Sequence, residues 1–308
     1  MKRYDPFTIL VFFTILGLLA GGCGSGSRQS PGAIEDLSTE ERTGIESIDQ
    51  IYHLYPSPGE MLGIIDMAEM SFDPELLHPV SEADRYEGTR AMTYMLGLYM
   101  ADLAYAALFE RHEATLEYLE TVKDLSEDIR IDQAIDDAMI EKARKNVEYL
   151  DSLYTISNEA FMNIMAFCER NERSNTVVMM SAGAFVESLY LAVNLIEDYS
   201  EVEYLLQHLA DQKYTIDNFM TFAESVQADD PNVKATIEDL RAIEENYDDI
   251  DAGTGDVTVS TSGETGSGEP KKLVIGGGGA QSQPSLSEEE FENLKAAIFE
   301  LRSRMIEG

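Results

Sequence analysis

The chain has 308 residues, 58 of them acidic against 22 basic, for a net charge of −36. A body that negative repels nucleic-acid phosphates and anionic lipid headgroups, so neither is expected as a partner. The excess either attracts cations and basic partners or simply keeps the surface solvated.

The chain starts "MKRYDPFTILVFFTILGLLAGGC". Lys2 and Arg3 precede an apolar run from Phe7 to Ala20, and small residues follow, which is the layout of a removable export signal over residues 1–22. The run is shorter than the 20 or so apolar residues a permanent membrane helix needs. "LAGGC" resembles the lipobox of bacterial lipoproteins, which implies lipidation of Cys23 and attachment to a membrane through that lipid. Loss of residues 1–22 takes Lys2, Arg3 and Asp5 with it and leaves −37. Residues 23–51 begin with the Gly/Ser-rich "GSGSRQSPG" and read as a tether. With Cys23 acylated, Cys168 has no disulfide partner; its apolar neighbours in "FMNIMAFCER" make it a free core thiol.

The main body is expected over residues 52–250, with helical periodicity throughout and few strand signals. Its start is marked by "YPSPGEM", where Ser57 stands as N-cap, Pro58 at the first helical position and Glu60 three beyond the cap. Further helices are predicted at 82–110, 112–128, 132–145, 147–172, 175–198, 201–226 and 232–247, with breaks at "ERNERSN" and "DDPN". Two differ from the rest. Residues 91–109 hold one charge, Asp102, and residues 176–196 hold one, Glu187. Helices apolar all round sit inside a larger bundle or in a membrane. A carboxylate at mid-span costs about 2.5 kcal/mol or more in a bilayer, which favours the central layer of a soluble bundle. Gly97, Ala101 and Ala104 on one helix, and Ala182, Gly183 and Ala184 on the other, would permit close backbone approach. No repeat near 34 residues recurs, so the helices do not form a tetratricopeptide array. The fold class is all-α: a bundle of antiparallel helices with two apolar central members and a linked C-terminal helix.

Residues 251–285 are Gly-, Ser- and Thr-rich and read as linker. The segment 286–308 is a last amphipathic helix. Ser287 and Glu290 form a capping box. Phe291, Leu294, Ile298, Leu301 and Met305 follow as a heptad seam. The seam either folds back onto the body or serves as an interaction helix, for self-association or for another envelope protein.

The order of these landmarks is similar to that in a group of all-helical envelope lipoproteins of Bacteroidota. It runs from the lipobox through "YPSPGEM", "LYMADLAYA" and "GAFVESLYLA" to a linker and the closing "ELRSRMIEG". The resemblance implies an exported helical body on a lipid anchor and brings no activity or ligand. The chain departs from the group at Phe185, where a tryptophan is expected, and in its expanded linker.

Asp102 and Glu187 carry the sharpest chemistry. Tyr99 and Tyr105 lie three residues either side of Asp102, and Tyr190 lies three beyond Glu187, so phenols share a helix face with each acid. If the central helices are neighbours, the acids either build a polar pocket for a cation or small basic ligand, or form a hydrogen-bond network that fixes helix register. Metal motifs are incomplete. "HEATL" has Leu116 in place of a second histidine, "ELLH" at 75–78 stands alone, and "DDIDAGTGD" departs from a calcium loop at its glycine and at Ser260. No metal, cofactor, nucleophile elbow or phosphate loop is expected, and hence no enzyme. The expected protein is a lipid-anchored, non-enzymatic binding or scaffold module, on the outer membrane facing the periplasm. The alternative is a periplasmic binding protein for a cation or basic ligand.

Overall fold

The computed structural model describes residues 57–67, 70–145, 150–196, 199, 203–226, 230–248, 250 and 286–307, all within one compact unit over residues 43–308. The signal segment, Cys23, the tether, the 251–285 linker and most of the calcium-like stretch lie outside the described residues. So does the side chain of Glu60. Among the described residues there are helices and no strand, so the chain is an all-α bundle.

The helices are α1 (Pro58–Met67), α2 (Thr89–Leu108), α3 (His112–Asp128), α4 (Asp137–Lys145), α5 (Leu150–Arg170), α6 (Ser174–Asn194), α7 (Glu203–Val226), α8 (Pro231–Asp248) and α9 (Glu288–Glu307). Short 3₁₀ turns lie at Pro74–Leu76, Val80–Arg85 and Asp132–Ala134. The helix expected over 82–110 is therefore broken. Residues 80–85 form a 3₁₀ turn, the chain extends at Tyr86, and α2 starts only after Gly88. Gly88 has φ +85°, a conformation closed to ordinary L side chains, and that turn redirects the backbone. The start of the helix expected at 132–145 is likewise a 3₁₀ turn, with α4 beginning at Asp137.

The two apolar helices are α2 and α6, and they form the most extensive helix pair in the bundle. Every residue from Thr93 to Ala107 of α2 is buried. Of α6, 94% of the most apolar window is inside the body, so a helix long and apolar enough to cross a membrane is here sheathed by other helices. Their backbones touch. A Cβ on Gly97 would overlap the carbonyl oxygen of Met180, and one on Gly183 would overlap that of Tyr94. The other helices bury one stripe each. In α3 the buried residues are Thr115, Tyr118, Leu119, Val122, Leu125 and Ser126, at the three-and-four spacing of an amphipathic helix.

Three helices end alike. Arg111 N–H donates to the Ala106 carbonyl, Ile131 N–H to that of Ser126, and Arg173 N–H to that of Cys168, at 2.7–2.8 Å. Each is the six-to-one bond of a Schellman closure. The left-handed residue it needs is Glu110, Arg130 or Glu172, not glycine. The thiol of Cys168 is buried, and that burial pushes its pKa up to about 11.

The last helix packs on α6, α8 and α2. Its capping box forms as the sequence predicts. Ser287 N–H donates to Glu290 Oε2 at 2.7 Å, and Glu290 N–H to Ser287 Oγ at 3.3 Å. All five seam residues, Phe291, Leu294, Ile298, Leu301 and Met305, are buried against the chain's own body. Of the two uses foreseen for the seam, folding back is the one seen. The hydroxyl of Tyr199 donates to the Leu286 carbonyl just ahead of α9, and Arg85 Nη2 donates to the Ile306 carbonyl at its far end, at 2.8 Å.

Candidate functional site

The polar centre of the bundle is assembled from three helices and one extended segment. Asp102 sits in the middle of α2 and Glu187 in the second half of α6, both fully buried. The crossing of α2 and α6 brings the two carboxyls into hydrogen-bonding contact. The third member is Arg302 of α9. Its Nε donates to Glu187 Oε2 at 2.5 Å and its Nη2 to Oε1 at 2.8 Å. Its guanidinium also stacks 3.8 Å from the centre of the Tyr190 ring. Of the two arrangements considered for the acids, a ligand pocket or a hydrogen-bond network, the described residues form a network, with the chain's own Arg302 bound to Glu187.

Two acids face one arginine, so charge balance requires a proton, and the surroundings say which acid carries it. Burial, then the negative charge of Glu187, pushes the Asp102 pKa well above the usual carboxylate range. Glu187 is also raised by burial, but Arg302 opposes that rise through its charge and its hydrogen bonds. Asp102 Oδ2 accepts the His78 N–H at 3.0 Å, while Oδ1 has no donor among the described residues. A proton on Oδ1, donated to Glu187, satisfies both groups. Burial works against the charge of Arg302, but the Glu187 carboxylate outweighs it and holds the guanidinium pKa above its ordinary value.

The tyrosines do something other than the sequence suggests. Tyr99 does not serve Asp102: its hydroxyl donates to the Pro79 carbonyl at 2.9 Å. Tyr105 accepts the Asp73 N–H at 3.0 Å. Tyr118, from α3, donates to the His78 carbonyl at 2.8 Å. Together they strap the extended segment around His78 across α2 and α3, and this places the His78 amide on Asp102. Phenols are long enough to reach past their own helix to a neighbouring backbone, so sharing a face with Asp102 did not make them its donors. Tyr190 serves as the apolar lid of Arg302. His78 is itself buried, with Nε2 2.8 Å from the Tyr86 hydroxyl. Its pKa falls to about 4, first through burial and then through the charges of Arg302 and Arg85. The imidazole is neutral at pH 7.

Arg302 was not foreseen from the sequence, and His78 stood out there only as the end of the incomplete metal motif "ELLH". One signal for Arg302 was present: it follows Leu301 and lies four residues after Ile298, on the flank of the seam. The other half of the signal was the lone acid in an otherwise apolar helix. Chemically, the assembled cluster is a buried, proton-balanced ion pair. Among the described residues no three His, Cys, Asp or Glu side chains gather as a metal site. No family model, curated protein or solved structure matches the chain.

Proposed function

We propose that this chain is a lipid-anchored helical protein of the cell envelope, acting as a non-enzymatic binding or scaffold module on the periplasmic face of the outer membrane. The observation that carries the non-enzymatic half is the pairing of Arg302 with Glu187. Of the two acids of the central helices, Glu187 is paired with an internal arginine and Asp102 carries the balancing proton, and a neutral histidine and the surrounding tyrosines hold that arrangement. Such a core works as a solid block, and recognition then falls to its surface. The anchor half rests on "LAGGC" and the tether that follows. A lipid-modified cysteine with more than one acyl chain holds a protein to a bilayer durably, since each buried CH₂ contributes about 0.8 kcal/mol.

Mass spectrometry of the mature chain from a bacterial host that acylates lipoproteins tests the anchor. Expected is an acylated N-terminal Cys23 in the membrane fraction, with Cys23→Ser released as soluble or unprocessed protein. An unmodified Cys23 in freely soluble protein overturns it. Cross-linking in intact envelopes tests the module: reproducible protein neighbours are expected, and their absence overturns that half.

A further inference from the structure

We draw no further inference here: the strongest candidate, the surface patch on α7 where Tyr204 and Tyr214 stand exposed beside His208, carries nothing, because nothing in the structure shows what covers it.

Discussion

Arg302 reaches from the last helix to Glu187 in the middle of the bundle and grips both of its carboxylate oxygens. The two residues are 115 positions apart, and the arginine side chain is 13% exposed while the glutamate is fully buried. Taking both charges out of water costs several kcal/mol each, and such a pair typically does no better than well-packed apolar side chains. Its effect is on specificity. The guanidinium fixes the register of α9 along its groove, because a slip of one turn would bury Arg302 without a partner and leave Glu187 uncompensated.

The two acids should respond differently to neutralisation. Asp102→Asn keeps the acceptor for the His78 amide and a donor towards Glu187, so unfolding free energy at pH 7 should change by no more than about 1 kcal/mol. Glu187→Leu leaves Arg302 buried without its partner and should cost about 3–5 kcal/mol. Adding Arg302→Met to Glu187→Leu should recover most of that loss. Urea unfolding of wild type and these three variants measures the differences. Equal effects at the two acids, or no recovery in the double mutant, would sink the proton assignment.

Much of this centre was legible in the sequence, and the part that was not has a physical reason. A single charge in each of two apolar helices marks buried polar partners, and the small residues around Gly97 and Gly183 mark a close crossing. Both are local signals. The Arg302–Glu187 contact depends on which face of α9 meets which turn of α6, and periodicity along one helix cannot set that register. The break before α2 hid behind helix-compatible residues from Val80 to Arg85, and only Gly88 gave it away. The closures after α2, α3 and α5 lack glycine, so sequence located them by charged clusters and by the resumption of periodicity. The strap around His78 is held by tyrosines of two helices, and its hydrogen bonds join residues up to 40 positions apart.

His78 gives the fold a pH dependence of known sign. Its pKa is about 4 in the native state and near 6.5 when exposed. The unfolded chain therefore binds the proton first, and stability falls as pH drops from about 6.5 towards 4. The full loss is about 3 kcal/mol for this group. Asp102 and Glu187 contribute with the opposite sign, since their raised pKa values make the native state the better proton binder above their unfolded range. The difference between wild type and His78→Gln isolates the histidine. That difference should be widest near neutral pH and should close below pH 6.5. A difference that does not vary between pH 4 and 7 would exclude a buried neutral imidazole.

Three glycine-to-alanine substitutions should separate helix packing from helix propensity. Gly97→Ala and Gly183→Ala each drive a methyl into a backbone carbonyl of the facing helix, which cannot swing aside as a side chain can. Each should cost about 1–3 kcal/mol, or more where the helices must part. In Gly63→Ala the nearest atom to the new methyl is the Tyr154 hydroxyl at 4.0 Å. With no clash, the better helix propensity of alanine should raise stability by up to about 1 kcal/mol. Thermal melts of the three variants give the comparison, and a stabilised Gly97→Ala would show that α2 and α6 do not cross in backbone contact.

The three left-handed closures offer the reverse experiment. Glu110, Arg130 and Glu172 have φ values of 59°, 62° and 55°, where an L residue costs about 1–2 kcal/mol. Glycine removes that strain but gives back part of the gain as chain entropy, so each substitution to glycine should stabilise by about 0.5–1 kcal/mol. The closures at Arg130 and Glu172 are linked, since Arg173 donates to the Ile129 and Arg130 carbonyls, so additivity in the triple variant is expected only between Glu110 and the other two. Gly88→Ala, which forces a methyl onto φ +85°, should lose stability instead. Chemical denaturation midpoints at constant slope measure all five proteins. Glycine variants that are no more stable than wild type would mean that the carboxylate or guanidinium at these turns contributes as much as the strain removes.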